Sequence, residues 1–204
     1  GLQWRRQHSW LGDRPLVLYA GTFGMVNGVG YLVDIAQAMQ TLSPDVRFLL
    51  LGDGREADEV RQRARELGVL DANLFILPRI PKTEMPAILS AATVATSTVI
   101  DVPALWANSA NKVFDAFAAG RPVAINHEGW QAGLLRESRA GLVLPADDPR
   151  AAAQLLAAFL ADRDRLAQAG QAARRLAETR FSRDLLFEEF ERVLLLAAEE
   201  GRRP

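Results

Sequence analysis

Short apolar runs recur along the chain and alternate with stretches in which apolar residues return every three or four positions. Apolar runs without polar interruption are typical of parallel strands that helices cover on both faces. The pattern predicts strands at residues 16–20, 46–51, 73–77, 93–97, 121–125 and 142–144. The regular alternation with helical stretches favours a parallel sheet.

The intervening stretches predict helices at residues 30–40, 56–67, 84–91, 110–119 and 131–137. Asp148 followed by Pro149 is a capping residue before a first-turn proline, and it predicts a helix that runs to about residue 161. From residue 162 to residue 200 we expect two amphipathic helices with a break at Phe181-Ser182, where Ser182 caps the second. These elements predict a doubly wound α/β domain of about six parallel strands, with its ligand site at the carboxyl ends of the strands.

Composition excludes several classes of function. The net charge of −1 over 204 residues offers no electrostatic footprint for nucleic acid. Cysteine is absent and only two histidines occur, which argues against thiolate chemistry and a histidine-based metal site. No apolar run approaches the ~20 residues that span a membrane. We therefore expect a cytoplasmic domain without a metal or other cofactor, associated with a membrane at most peripherally at its inner face.

The strongest group of candidate site residues lies in a polar loop and the short helix that follows it. A helix N-terminus offers unpaired N–H groups and the positive end of the helix dipole, which attract an anion. Lys112 adds a charge in the first turn, and we expect Asp115, three residues later, on the same helix face. An ammonium for a diphosphate and a carboxylate for two adjacent hydroxyls suit a nucleotide sugar. The predicted site comprises Asn108, Ser109, Asn111, Lys112 and Asp115; the alternative is a capped surface helix with an ordinary Lys–Asp pair.

Two glycine-containing loops follow predicted strands and provide weaker candidates. Glycine lets the backbone approach a ligand closely, although it also occurs in any tight turn. The loop after the first strand contributes Gly21, Thr22 and Gly24, and the loop after the second contributes Gly52 and Gly54. Both loops fall where an open α/β sheet binds its ligands.

Residues 111–123 resemble the nucleotide-binding helix of the group 1 (family 4) glycosyltransferases, whose members commonly read Asn-Lys-x-Phe-Glu/Asp-x-x-Ala-x-Gly-x-Pro-Val. The resemblance extends to residues 19–24, 51–54, 129–132 and 141–145, and it ends with Asp148-Pro149. Within the family the chain is most similar to bacterial enzymes of capsular or O-antigen polysaccharide synthesis. The resemblance implies a Rossmann-like domain that forms one half of a GT-B fold and binds the donor nucleotide.

The resemblance also implies roles for residues that the pattern alone does not single out. It implies that the Ile80 backbone contacts the nucleobase, that Arg79 helps Lys112 to stabilise the leaving diphosphate, and that Trp130 lies near the donor sugar. Two positions depart from the family pattern. Asn27 precedes Gly28, where many members have lysine, and Ala107 stands where many have a glutamate.

We expect three segments: a linker at residues 1–15, a nucleotide-sugar-binding domain at 16–181, and a C-terminal helix at 182–204 that crosses back to an absent N-terminal domain. The chain opens with Gly1 rather than Met and carries one Rossmann-like pattern, which suggests an excised half of a larger enzyme. The predicted function is transfer of a sugar, most simply from a UDP-sugar, to a glycan or lipid-linked acceptor that the absent domain holds. Alternatives are a non-catalytic nucleotide-binding or scaffolding domain, and half of a nucleotide-sugar epimerase.

Overall fold

A computed structural model describes residues 1–200 and the side chains of residues 1–198. Within this part of the chain, one sheet of six parallel strands runs in the order β3-β2-β1-β4-β5-β6. The strands are β1 Leu16–Ala20, β2 Arg47–Leu51, β3 Leu74–Leu77, β4 Val94–Ser97, β5 Val123–Ile125 and β6 Gly141–Val143. The order reverses between β1 and β4, which is where open sheets of this kind bind ligands.

The helices follow the predicted alternation. They are α1 Leu2–Arg6, α2 Gly30–Leu42, α3 Ala57–Glu66, α4 Met85–Ala91, α5 Asn111–Ala118, α6 Trp130–Ser138, α7 Pro149–Ala161, α8 Arg163–Thr179 and α9 Arg183–Glu200. Three-residue 3₁₀ turns occur at Met25–Asn27, Lys82–Glu84 and Pro103–Leu105. Asp148 caps α7 as predicted, because its carboxylate accepts hydrogen bonds from the N–H groups of Arg150 and Ala151.

Alternate residues of the central strands point to two apolar cores. Val17 and Tyr19 of β1 face a core formed with α2, α3 and α7, while Leu16 and Leu18 face a second core formed with α4, α5, α6 and α8. Because both faces of the sheet are covered, its strands read as unbroken apolar runs. The doubly wound parallel fold that the pattern predicted is confirmed.

The segment 1–15 packs on the domain rather than extending away from it. It contains α1, which the sequence pattern did not predict, and the side chain of Leu11 is fully buried. The Arg5 guanidinium donates hydrogen bonds of 3.0 and 2.6 Å to the Ala91 carbonyl. The Trp10 ring stacks on the Phe75 ring with their centroids 3.9 Å apart. The role of this segment as a linker stays a prediction.

The C-terminal helices break where the sequence predicted. The Ser182 hydroxyl accepts a weak hydrogen bond of 3.3 Å from the Leu185 N–H at the start of α9. Beyond this point α9 leaves large apolar side chains exposed, Phe187 and Phe190 among them. Its predicted passage to another domain stays a prediction, and residues 201–204 lie outside the described part. No helix in residues 1–200 combines the length and the apolarity needed to cross a membrane.

Candidate functional site

The crevice between the carboxyl ends of β1 and β4 is shaped by the loop that follows β1. The carbonyl of Thr22 accepts hydrogen bonds from the Tyr19 hydroxyl at 2.8 Å and from the Asn27 side chain at 3.0 Å. The Thr98 hydroxyl, just after β4, donates to the Asn27 carbonyl at 2.6 Å. Asn27, which departs from the family pattern, therefore fixes the shape of this loop and ties it to β4.

The glycines after β2 allow two loops to touch. A Cβ atom on Gly52 would lie 1.9 Å from the Gly21 carbonyl oxygen, and one on Gly54 would lie 2.5 Å from the Phe23 carbonyl oxygen. Gly24 is less constrained, since a Cβ there would lie 3.3 Å from the Asn27 side chain. Close backbone packing explains Gly52 and Gly54 without a ligand, and their role in binding stays a prediction.

Helix α5 begins at this crevice with an open N-terminus. It begins at Asn111, one residue after the predicted start, with Ala110 as its N-cap and no side chain capping it. The Val113 N–H bonds back to the Ala110 carbonyl at 3.0 Å, but the N–H groups of residues 110–112 have no acceptor among the described residues. The positive end of the helix dipole and these N–H groups form a site suited to an anion.

Lys112 places its ammonium group beside this N-terminus. Its Nζ atom lies 4.1 Å from the centroid of the Tyr19 ring, a cation–π contact. A Cβ atom on Gly21 would lie 2.7 Å from the same Nζ, so a larger residue there would require the Lys112 side chain to move. Burial lowers the pKa of Lys112 from 10.5 to about 8, because desolvation disfavours the charged form. No ion pair with Lys112 occurs among the described side chains, and the ammonium is available to a ligand.

Asp115 has different contacts from Lys112, although the two residues are one turn apart on α5, and their shared role stays a prediction. The Lys112 side chain turns toward Gly21, whereas Asp115 is exposed in a groove beside Lys82. The groove brings Asp115 together with Ser109, Asn111 and Trp130, and the first turns of α9 form its other wall.

Trp130 stands at the start of α6 on the far side of this groove. Its indole N–H donates to the Asn108 carbonyl at 3.1 Å, and its ring stacks on Phe114 with centroids 6.3 Å apart. Gly129 precedes it with φ = 96°, and a Cβ there would lie 2.4 Å from the Trp106 carbonyl oxygen. Trp130 and Asn108 are thus held next to α5, and the contact of Trp130 with the donor sugar stays a prediction.

The loop after β3 contains the remaining predicted residues. Ile80 is half-buried against the core that contains α4 and α5. Arg79 is exposed and makes neither a hydrogen bond nor an ion pair with the part of the chain that the structure describes. The base contact of Ile80 and the diphosphate contact of Arg79 stay predictions.

Several buried polar atoms near α6 have no partner. They are Nε2 of His127, both amide atoms of Gln131 and Nε1 of Trp106, considering the described residues alone. Unpaired buried polar groups are rare and call for a ligand or an ordered water. Glu128 is different, because its carboxylate accepts two hydrogen bonds of 2.6 Å from Arg136, which lower its pKa. A carboxylate held in this way is a poor candidate for an acid or base.

The family described as glycosyl transferases group 1 matches residues 2–176. The chain belongs to the group 1 glycosyltransferases. It is 30% identical over 176 residues to a D-inositol 3-phosphate glycosyltransferase of Xylanimonas cellulosilytica, covering 84% of this chain and 40% of that protein. It is 26% identical to a GDP-mannose-dependent alpha-(1-6)-phosphatidylinositol monomannoside mannosyltransferase of Mycolicibacterium smegmatis, covering 84% of this chain and 45% of that protein. The chain therefore spans less than half the length of these relatives.

Solved structures agree on the fold. Anabaena HepE, solved with UDP and glucose, superposes with a TM-score of 0.80 at 19% identity, covering 95% of this chain and 51% of that chain. The C-terminal domain of LpcC, a group 1 glycosyltransferase of Francisella tularensis, superposes with a TM-score of 0.68 at 16% identity, covering 89% and 93% respectively. At these identities the likeness shows the fold, and it confirms the Rossmann-like domain found in GT-B glycosyltransferases.

Two group 1 site features were missed from sequence. Tyr19 was recognised only as part of a motif, although it contacts both Lys112 and the Thr22 carbonyl. Gln131 was likewise recognised only within the 129–132 motif, although it is buried with an unpaired amide. The sequence signal for a role of Tyr19 in the site was its hydroxyl group within an otherwise apolar strand. Among residues 1–198, no cluster of three or more histidine or acidic side chains has metal-binding geometry, and the absence of a metal requirement stays a prediction.

Proposed function

We propose that this chain is the donor-binding domain of an enzyme that transfers a sugar from a nucleoside diphosphate sugar to a glycan or lipid-linked acceptor. The carrying observation is the unpaired Lys112 ammonium beside the open N-terminus of α5, at the switch point of the sheet. A diphosphate supplies the negative charge that these donors lack. Family membership supports the reaction type.

The geometry supports a separate set of contacts for each part of the donor. The Lys112 ammonium and the N–H groups of residues 110–112 face the diphosphate, where negative charge grows as the sugar leaves. Asp115 accepts hydrogen bonds from the ribose hydroxyls, and the Ile80 backbone meets the base. Trp130 and the unpaired Gln131 amide meet the sugar. In this scheme the protein's own cations stabilise the leaving group, so we expect no metal or other cofactor.

The donor base, acceptor and pathway are part of the proposal. We favour UDP because HepE was solved with it, although one relative is named as GDP-mannose-dependent. We place the acceptor on the remainder of a longer protein, since the matched relatives are more than twice as long as the matched region. We further propose a cytoplasmic role in surface polysaccharide synthesis, at most peripheral to the membrane, because the proposed donor is a charged, water-soluble molecule.

Calorimetry with UDP and uridine tests the nucleotide site. Lys112→Ala should weaken UDP binding by about ten- to a hundredfold, because it removes a charge-assisted hydrogen bond of about 1.5–3 kcal/mol. Uridine binding should change little, since uridine offers no anion. Arg163→Ala, which removes an exposed cation at the start of α8 outside this site, serves as the matched control. Equal UDP binding by wild type and Lys112→Ala would refute the diphosphate site.

A second measurement separates an enzyme from a non-catalytic binding domain. Thermal-shift screening with UDP, GDP and ADP identifies the preferred base. The longer parent protein is then assayed for transfer from the matching nucleotide sugar to a lipid-linked acceptor. Nucleotide binding without transfer or donor hydrolysis would favour the scaffolding alternative. We expect no transfer by the 204-residue chain alone, because water enters its open crevice and acceptor groups are missing.

A further inference from the structure

A groove lies on the side of the domain opposite the nucleotide crevice. It borders Thr93 and Pro122, which precede β4 and β5, whereas Gly21 and Thr98 follow β1 and β4. The groove therefore lies at the amino ends of the strands and is separate from the site described above. Its described lining includes four arginines and no acidic side chain: Arg5, Arg121, Arg174 and Arg175.

Small residues line the groove between the arginines. Ala91 and Ala92 come from the end of α4, and Gly120 and Gly170 come from the turn after α5 and from α8. A Cβ atom on Gly170 would lie 2.8 Å from the Gly120 carbonyl oxygen, so the two backbones are in close contact. The groove is therefore lined by backbone and small side chains, which leaves space among the guanidinium groups.

Helix capping explains part of this arrangement. Arg5 donates two hydrogen bonds to the Ala91 carbonyl, and Arg121 donates one of 2.7 Å to the Ser90 carbonyl, both at the C-terminus of α4. Arg174 likewise donates to the Ala118 carbonyl at the end of α5. Cations are favourable at these positions because helix C-termini carry partial negative charge.

Capping does not satisfy all the donors. A guanidinium carries five N–H donors, yet Arg121 uses only Nη2, and its Nε is buried without a partner among the described residues. The Arg175 side chain makes no hydrogen bond or ion pair within the described part of the chain. Donors therefore remain available on both the α5 side and the α8 side of the groove.

Arg174 pairs with Glu178 on its own helix, with Nε 2.7 Å from a carboxylate oxygen. Arg5 and Arg121 are poorly compensated electrostatically. Burial lowers the pKa of Arg5, the charge of Arg121 lowers it further, and Asp13 only partly offsets the two effects. Burial lowers the pKa of Arg121 as well. Both shifts mean that the charged forms lose hydration without gaining a full counter-charge. A bound anion would supply that counter-charge.

We propose that this groove binds a phosphate-bearing ligand, which Arg121, Arg174 and Arg175 hold at the face opposite the donor crevice. Planar guanidinium groups match the oxygen geometry of phosphate and can bind it through paired hydrogen bonds. The phosphate belongs either to a small soluble ester or to an anionic lipid headgroup. This inference does not depend on the proposed sugar transfer.

Pyrophosphate is the probe for the soluble ligand. Calorimetric titrations use the Lys112→Gln background, which weakens the nucleotide site without touching the groove. Adding Arg174→Gln with Arg175→Gln should weaken pyrophosphate binding at least about tenfold, since charge-assisted bonds of about 1.5–3 kcal/mol are lost. The matched control is Arg163→Gln with Arg165→Gln, which removes the same charge from the same helix outside the groove.

A vesicle-binding experiment distinguishes a lipid headgroup from a soluble phosphate ester. Flotation compares vesicles of phosphatidylglycerol mixed with phosphatidylcholine against phosphatidylcholine alone. Groove-dependent binding of anionic vesicles without pyrophosphate binding identifies a lipid headgroup, whereas the reverse identifies a soluble ester. Thermal melts verify folding, and Arg175→Gln alone replaces the pair if Arg174→Gln disrupts the contact with α5. Equal loss in the groove and control variants, or no groove-dependent binding of either probe, would overturn the proposal.

Discussion

The buried, unpaired Lys112 predicts that nucleotide binding depends on pH. Tyr19 and Gly21 face its ammonium group, and Asp115 on the same helix is exposed elsewhere. With its pKa lowered to about 8, Lys112 is mostly charged at pH 7 and mostly neutral at pH 9 in the ligand-free chain. A bound diphosphate favours the charged form and raises the pKa again. Binding above pH 8 must therefore be accompanied by proton uptake.

The size of the pH effect on UDP affinity follows from the shift in the pKa of Lys112. If the diphosphate restores the pKa of Lys112 to near its ordinary value of 10.5, UDP binds about tenfold more weakly at pH 9 than at pH 7. One pKa unit corresponds to about 1.36 kcal/mol. The free energy of unfolding of the ligand-free chain changes with pH in the opposite direction to the UDP affinity. The unfolded chain binds more protons between about pH 8 and 10.5, so stability should rise with pH across that window.

Calorimetry at pH 7, 8 and 9 in buffers of different ionisation enthalpy measures both affinity and proton uptake. Uridine controls for ionisation of the base, because both ligands share it. Lys112→Gln should abolish the difference between UDP and uridine in pH dependence, whereas Lys82→Gln should retain it. A UDP affinity that stays flat from pH 7 to pH 9, or a slope that survives in Lys112→Gln, would refute the reasoning.

Three further predictions concern two site residues and two glycines. Tyr19→Leu removes the cation–π contact with Lys112 and the hydrogen bond to the Thr22 carbonyl, and should weaken UDP binding and shift its pH profile. Tyr19→Phe keeps the ring and should retain the pH profile, and calorimetry distinguishes the two variants. Asp115→Asn should weaken UDP and uridine binding by similar factors, because both ligands carry the ribose hydroxyls, and a loss confined to UDP would contradict its assignment. Gly52→Ala should lower the free energy of unfolding by about 3 kcal/mol through overpacking, while Gly133→Ala, with open space around it in α6, should raise it by up to about 1 kcal/mol; urea denaturation measures both.

The apolar pattern was sufficient to predict the sheet, because successive residues of each central strand are buried on opposite faces. It was insufficient for α1, since this five-residue helix has too few turns for a periodic signal and is held by Arg5 contacts to the distant Ala91 carbonyl. Long-range contacts of this kind leave no local pattern in the sequence. The sequence pattern therefore predicted a linker before β1 but not the helix within it.

The candidate site shows the same limit. Sequence placed Lys112 and Asp115 on one helix, and spacing alone suggested that they face one ligand region together. The position of the Lys112 amine depends on the Tyr19 ring and on the absence of a side chain at Gly21, both of which lie outside α5. The residue types were thus readable from sequence, whereas their directions required the packing between β1 and α5.

The choice of lysine at position 112 has a physical reason in this chain. Lys82 and Lys112 are the only lysines among 24 basic residues, so arginine is the usual cation here. A guanidinium is larger than an ammonium, and its pKa remains too high for it to lose its charge on burial. A compact amine can occupy this space, tolerate desolvation and regain its proton when an anion arrives. The position is therefore built for a cation whose charge depends on its ligand, and this requirement supports the proposed contact with the donor diphosphate.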